Sequence, residues 1–486
     1  MERTHVRCYG LIHMQAERIF TLADLTAFAE LSGDYNPLHT DPVVARRTQL
    51  GECVAHGIYV LLWALDSLQA QGGANRKWAK ISAKFLRPIR AGVKVAVAEK
   101  EKSSREVSLT VSEAGRVLCQ VEVAWAEAGA ITEASNSRDE IPPREEPAQL
   151  QLEDAMKTSG ALDLFWSSKR GAVLFPALAA TQRPDALAAL LATTRVIGMK
   201  VPGEQSVFIQ LAFTFSPHAE VKEPFTYRVA EYRKSSQRLG IAIAGAAGHG
   251  LLWALVRPAP VVQPGMAAIK QRVAPDRFAG RKVIVIGGSR GLGEIAAKAL
   301  AAGGAEVVLT YRLGSDDANR VVADIAANGG KAVALQLDTA VAGWEASLSS
   351  SCTGFDHLCY FATPPIVEGD GSSLNVPMFE KFSAVYVAGL VSVAQWLVKN
   401  TAGKFAFFNA STVAVDAPPL RNLEYAAAKA AGEACCRWLA AANPKARVYA
   451  ARFPRLNTDQ TASFLSAGDH DSLETVLREL SVWLPE

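Results

Sequence analysis

The chain has 486 residues, 49% hydrophobic and 20% charged, the composition of an ordinary globular protein with room for about three domains at roughly 150 residues each. Its 51 Lys and Arg against 48 Asp and Glu leave a net charge of +3, too small a surplus to mark a nucleic-acid binder. The seven cysteines, Cys8, Cys53, Cys119, Cys352, Cys359, Cys435 and Cys436, are odd in number and scattered, which argues against a disulfide framework and fits a reducing cytosol; no CxxC or HxxxH spacing points to zinc.

The opening MERTHVRCYGLIHMQAERIF alternates polar and apolar residues and lacks the core of a secretion signal. No charge-free window of about 18 apolar residues stands out, so a cytoplasmic protein without a membrane span is expected. Two polar, proline-bearing stretches, 128–150 and 257–279, read as linkers. They divide the chain into 1–127, 151–256 and 280–486.

In the first part, Thr21-Leu22-Ala23-Asp24 opens a helix as a capping box and Gly33 stops it. The loop Gly33-Asp34-Tyr35-Asn36-Pro37-Leu38-His39 sets a carboxylate and an imidazole five apart across a proline, able to converge on one water. Ala55-His56-Gly57 then begins the apolar helix IYVLLWALDSL, whose first free amides can face a substrate oxygen. Adding or removing water beside a thioester needs a base, an acid and donors for an enolate oxygen, which Asp34, His39 and the Gly57 amide can supply. From spacing alone, Asp34 can equally cap a turn, His39 pack in the loop and Gly57 serve close packing. Tyr59 and Trp63 either floor a substrate tunnel or fill the core.

Through Ser32–His39, Ala55-His56-Gly57 and Lys84-Phe85-Leu86-Arg87-Pro88-Ile89, residues 10–127 resemble the MaoC-type (R)-specific enoyl hydratases and dehydratases of hotdog fold. The resemblance implies that Asp34 and His39 are the catalytic pair and that the Gly57 amide helps to bind the thioester oxygen.

The middle part repeats the order of helix, DALAALLATTRVIGMKVPG, then strands, SVFIQLAFTF, PFTYRVAEY and LGIAIAGAAG, and looks like a second hotdog unit. It has no Asp-x-x-x-x-His; Thr193, Thr194 and Arg195 precede its Val-Ile-Gly-Met-Lys-Val-Pro-Gly loop. A catalytically silent partner that completes the substrate tunnel is expected, with Arg183, Arg195 and Lys200 as solvated charges rather than phosphate ligands.

The last part alternates short apolar runs (283–286, 307–311, 332–337, 357–361, 405–408 and 448–453) with helical segments, which predicts a doubly wound parallel sheet. After the first run comes Gly287-Gly288-Ser289-Arg290-Gly291-Leu292-Gly293, leading into a helix, the context of a pyrophosphate-binding turn. The second run ends Tyr311-Arg312 without an acid for ribose hydroxyls, so Arg290 and Arg312 favour NADP(H) over NAD(H). Asp338 and Thr458, after later strands, join the candidate cofactor set.

Tyr425 and Lys429 fall on one helix face, where an ammonium is expected to lower the phenol pKa, and Thr412 or Ser411 would hold a carbonyl. With these motifs, residues 280–486 resemble the short-chain dehydrogenase/reductase family, especially its 3-ketoacyl thioester reductases. Departures from that family are Phe361-Ala362-Thr363-Pro364 for its usual Asn-Asn-Ala-Gly, Tyr386 for the relay Asn, Pro454-Arg455 for Pro-Gly, and Thr412 for the catalytic Ser.

The expected architecture is therefore an α+β double hotdog followed by an α/β Rossmann-type domain. The two resemblances imply a bifunctional biosynthetic enzyme, of fatty acid or polyketide-like type, that reduces 3-ketoacyl thioesters with NADPH and dehydrates the (R)-3-hydroxyacyl product to the trans-2-enoyl thioester. The alternatives are the same pair run backwards, hydrating an enoyl thioester and oxidising the alcohol in degradation, or an active dehydratase beside a degenerate nucleotide-binding scaffold. The acyl group would be presented by acyl carrier protein or coenzyme A, and the family implies a homo-oligomer formed through the reductase domain.

Overall fold

The computed structural model describes residues 12–72, 76–127, 137–217, 224–369, 371–462 and 470–485. Cys8, most of the opening segment and residues 128–136 of the first expected linker lie outside them. Backbone proximity divides the chain into two units: 1–45 with 52–259, and 46–51 with 260–486.

The first unit is built on one antiparallel sheet of ten strands. Its first half holds β1 (Ile12–Ile19), β2 (Trp78–Phe85), β3 (Lys94–Ser103), β4 (Glu106–Glu113) and β5 (Arg116–Trp125). The second half holds β6 (Ser159–Leu162), β7 (Ser206–Phe215), β8 (Phe225–Arg233), β9 (Arg238–Gly245) and β10 (Gly248–Val256). The order β1-β3-β4-β5-β2-β7-β10-β9-β8-β6 reads as the same arrangement run outwards from the centre, where β2 and β7 pair from Lys80↔Thr214 to Lys84↔Gln210. Two hotdog repeats thus pair their sheets within one chain.

Each repeat wraps its sheet on an apolar helix, Gly57–Gly72 in the first and Pro184–Arg195 in the second. Ile58 to Leu62 are all buried on the first of these, as a helix enclosed on every side requires. Tyr59 and Trp63 belong to this core: the Tyr59 ring stacks on Phe28 at 4.6 Å, and both approach Phe20 edge-on. The capping box forms as expected, with Thr21 Oγ1 accepting from the Asp24 amide and Asp24 from the Thr21 amide, and Gly33 ends the helix at φ 75°.

Three expectations change. Val196–Lys200, read as a loop, continues the helix as a π-helical turn. Arg183 and Arg195 are buried rather than solvated: Arg183 pairs with Asp185 at 2.8 Å, and Arg195 lies over the Phe165 ring, because their stems pack against apolar surface. Lys200 pairs with Glu145. The described parts of the two proline-bearing stretches are also anchored. The Arg138 and Ala148 amides donate to Leu164 and Met199 carbonyls, and Met266–Lys270 forms a helical turn whose Met266 and Ile269 enter a core. Proline content marked these segments, and the apolar anchors between the prolines decide their state.

The second unit carries β11 (Lys282–Ile286), β12 (Glu306–Tyr311), β13 (Lys331–Gln336), β14 (His357–Tyr360), β15 (Phe405–Thr412) and β16 (Ala446–Phe453), all parallel, in the order β13-β12-β11-β14-β15-β16. Val283 to Ile286 and Phe405 to Thr412 are buried on both faces, because helices cover the sheet on each side: Ile295, Leu300, Val321 and Leu480 on one, Val393, Leu397 and Leu439 on the other. The strand order reverses between β11 and β14, the crevice where open α/β sheets take ligands. The helix Val376–Asn400 is long and apolar enough to cross a membrane by length and composition; here Phe382, Leu390, Val393 and Leu397 are buried in the unit.

Candidate active sites

In the first repeat, the loop after Gly33 turns on two side-chain caps. Asn36 caps the short helix Pro37–Thr40 by accepting from the Leu38 amide, and Asp34 Oδ1 accepts from the Asn36 amide at 3.2 Å. The loop is buried, Asp34 being 1% exposed and Asn36 fully covered. Carboxylate, His39 and His56 each offer an atom within 4.8 Å of the other two, and the imidazoles stack at 3.8 Å. His56 is the member that spacing passed over; the Ala-His-Gly that begins the central helix was the available signal.

Hydrogen bonds assign the tautomers. His39 Nδ1 lies 2.7 Å from the Val54 carbonyl, which only accepts, so Nδ1 carries the proton and Nε2 keeps a lone pair. His56 Nε2 donates likewise to the Asp34 carbonyl at 3.0 Å, leaving its buried Nδ1 without a partner. Burial raises the Asp34 pKa despite His39 and two hydrogen bonds, and lowers those of His39 and His56. Both imidazoles are thereby held neutral near pH 7. Gly57 is the first residue of the central helix, and a Cβ there would press on the Phe85 ring at 3.0 Å, so the helix start also needs glycine for packing. A neutral base, a carboxyl group and helix-start amides thus stand together, a donor set that can move one proton to or from carbon and another to or from oxygen.

In the second unit the glycine turn leaves β11. Gly287 has φ 80° and donates to Thr310 Oγ1, Gly291 has φ 59°, and a Cβ on Gly293 would sit 2.2 Å from the Gly287 carbonyl. A Cβ on Gly291 would meet nothing nearer than Thr458 at 3.6 Å, which leaves the mouth of the turn an open cradle at the helix N-terminus. That cradle fits a dinucleotide pyrophosphate. Ser289 and Leu292 line the same turn, and Asp338 caps its own turn by accepting from the Ala340 amide.

Arg290 is not free as the sequence suggested: it pairs with Asp459 at 2.6 Å and with Asp317 at 3.0 Å. Arg312 lies exposed beyond the end of β12.

Thr412 and Ser411 end β15 and point apart. Ser411 donates to Glu433 at 2.6 Å, a carboxylate also gripped by Arg452, so it is withdrawn from the site. The Thr412 hydroxyl accepts from the Ala414 amide at 3.2 Å and stands beside Tyr425, whose pKa it lowers. Tyr425 and Lys429 share a helix face, but the Lys429 ammonium donates to the Ala410 carbonyl at 2.6 Å and sits 3.9 Å from the centre of the Tyr386 ring, against 6.0 Å from that of Tyr425. The expected lowering of the phenol pKa is therefore overturned. Burial pushes Tyr425 up, and it pulls Lys429 down to about 7. Tyr386 in turn shares a 2.5 Å hydrogen bond with Thr363.

A hotdog repeat holding a buried carboxyl beside a part-buried imidazole, and a doubly wound sheet holding a glycine cradle before a Tyr–Lys pair, define a dehydratase-type module joined to a reductase-type module. Comparison with known families agrees: residues 12–122 match the MaoC-like domain and residues 281–465 the short chain dehydrogenase. The chain carries both domains.

Among curated relatives, the chain is 36% identical over 83 residues to a 3-hydroxybutyryl-CoA dehydratase of Methylorubrum extorquens, covering 16% of this chain and 52% of that one. It is 51% identical over 57 residues to a 3-oxoacyl-[acyl-carrier-protein] reductase of Synechocystis sp., covering 12% and 23%. It is 32% identical over 163 residues to the 2,5-dichloro-2,5-cyclohexadiene-1,4-diol dehydrogenase LinX of Sphingobium indicum, covering 32% and 64%. The chain spans less than two thirds of the length of each of these three relatives. Among solved structures, a Burkholderia cenocepacia short chain dehydrogenase in complex with NADP is 24% identical with a TM-score of 0.40, covering 43% of this chain and 93% of that one.

Proposed function

We propose that the protein is a bifunctional enzyme acting at C3 of an acyl thioester. The second unit reduces a 3-ketoacyl thioester, and the first removes water from the resulting (R)-3-hydroxyacyl thioester to give the trans-2-enoyl product. The observation that carries this reading is the presence in one chain of two acid–base sites, buried Asp34 with part-buried His39 and part-buried Tyr425 beside buried Thr412, suited to consecutive steps at one carbon. The names of two relatives, a 3-oxoacyl-[acyl-carrier-protein] reductase and a 3-hydroxybutyryl-CoA dehydratase, fit the same succession. Fusion keeps the shared intermediate at high local concentration.

In the reductive step, Gly287, Gly291 and Gly293 form the cradle for the cofactor and Thr412 holds the substrate carbonyl. Tyr425, kept protonated by its burial, gives its proton to the oxygen as the alcohol forms. A bound nicotinamide supplies the hydride to the carbon. Arg312, with no acid at the end of β12, supports NADP(H); fluorescence titration with both cofactors tests this, and tighter binding of NADH would refute it.

In the dehydrating step, His39 Nε2 takes the proton from the α-carbon, the Asp34 carboxyl protonates the departing hydroxyl, and the Gly57 amide stabilises the enolate oxygen. One proton is taken and one returned, so the step balances as loss of water. Acyl carrier protein or coenzyme A would present the thioester, in a cytoplasmic setting. Asp34→Asn should stop only dehydration and Tyr425→Phe only ketoreduction. Loss of both activities from either change would refute the division of labour.

A further inference from the structure

We propose that Thr194, from the repeat that lacks the Asp–His motif, is a positioning residue for the dehydration site: its hydroxyl fixes the Asp34 carboxylate in the orientation that faces His39. The proposal rests on the reading of Asp34 as the acid of the dehydrating pair. Thr194 Oγ1 donates to Asp34 Oδ2 at 2.6 Å, and the two residues are 3% and 1% exposed. The neighbouring Thr193 shows what a buried threonine ordinarily does on a helix, donating to the Leu190 carbonyl of its own turn at 2.6 Å. Thr194 instead turns its hydroxyl out of the helix to a carboxylate of the other repeat.

The segment after Thr194 is shaped around the same carboxylate. A Cβ on Gly198, in the π-helical turn, would lie 2.2 Å from Asp34 Oδ1, so only glycine lets this turn approach. Asn36 Nδ2 reaches the carbonyls of Gly198, Gly203 and Glu204, each at 3.2 Å, and Arg257 binds the Glu204 carbonyl at 2.6 Å. The loop that carries Asp34 is thus fastened to the second repeat by side-chain and backbone bonds alike.

The chemistry explains why a hydroxyl is useful there. A buried carboxylate needs donors, and a cation beside it would hold it ionised and unable to give up a proton. Thr194 supplies one oxygen with a neutral donor, the Asn36 amide supplies the other, and a lone-pair face is left for the reaction. The titratable groups facing Asp34 are His39 and His56 from its own repeat; from the second repeat, Arg257 after β10 acts on His39. A hydroxyl donating to the carboxylate favours the charged form, so its removal raises the Asp34 pKa and moves the alkaline limb of the dehydration profile, set by loss of the acid's proton, to higher pH.

The test compares Thr194→Val with Thr194→Ser in the full chain, using 3-hydroxyacyl-CoA as substrate. Thr194→Val is expected to lose roughly ten- to hundredfold in kcat with KM within about twofold, to shift the alkaline limb upwards, and to leave ketoreduction unchanged. Thr194→Ser, which keeps the donor, is expected to restore both rate and limb. A valine variant with the wild-type profile, or a serine variant as impaired as valine, would overturn the proposal. If circular dichroism shows that Thr194→Val does not fold, Thr194→Ala takes its place with the same expectations. Difference infrared titration of the Asp34 carboxyl, referenced to Asp34→Asn, separates this proposal from the reading beneath it. An upward shift in the valine variant supports the contact even in a protein that does not dehydrate, and an unmoved carboxyl refutes it even in one that does.

Discussion

The two candidate sites solve one problem in different ways. Each needs a proton donor and acceptor matched near neutral pH, and in each the two titratable groups are four or five residues apart in sequence. In the first unit burial drives Asp34 up and His39 down, towards each other, and the supporting partners are neutral: a threonine hydroxyl, backbone amides and a carbonyl. In the second unit burial drives Tyr425 up and Lys429 down, and the ammonium is turned to a carbonyl and an aromatic face rather than to the phenol. Desolvation outweighs the neighbouring charge in both, so the close pairing of residues in sequence does not by itself tell which way a pKa moves.

The comparison can be broken by variants. The largest effect is expected from Gly198→Ala, whose Cβ would meet the Asp34 carboxylate. Overpacking there should cost about 1–3 kcal/mol of stability in thermal unfolding and lower dehydration on the order of a hundredfold, with ketoreduction retained. A variant that dehydrates like wild type would show that the second repeat does not shape the site.

Next, Gly293→Ala should push the Gly287 carbonyl out of the turn and weaken nucleotide binding roughly tenfold or more by fluorescence titration, leaving dehydration intact. The pH dependence follows. If the charged form of Lys429 serves ketoreduction, kcat/KM should fall as pH rises through about 7, whereas dehydration should lose activity on acidification only below the ordinary imidazole value of about 6.5, since His39 stays neutral to lower pH. Coincident profiles for the two reactions would contradict the separate settings. The smallest effect belongs to Ser411→Ala, expected within about twofold of wild type because Arg452 still holds Glu433; Thr412→Val should cost about ten- to a hundredfold in ketoreduction kcat.

Much of the fold was legible because local patterns carried it. Runs such as Val283 to Ile286 and the glycine turn after them could only be a buried strand and a βα turn, and Thr21, Asp24 and Gly33 marked both ends of a helix. The Asp34, Asn36 and His39 loop was legible for the same reason.

What escaped depends on contacts far apart in the chain. No local signal tells that Thr194 turns to Asp34 while Thr193 bonds its own helix, or that Ser411 is claimed by Glu433. The burial of Arg183 through Asp185, and the anchoring of Met266 and Ile269 between prolines, escaped likewise, because composition reports average polarity and not the partner that offsets it.

The most direct test of the account is a single time course on the unmodified protein, with a 3-ketoacyl thioester and NADPH, following cofactor oxidation by absorbance and acyl products by mass spectrometry. Loss of NADPH, a transient 3-hydroxyacyl thioester and then the trans-2-enoyl thioester are expected in that order. Accumulation of the 3-hydroxyacyl species with no enoyl product, or NADPH left unconsumed at every chain length supplied, would contradict it.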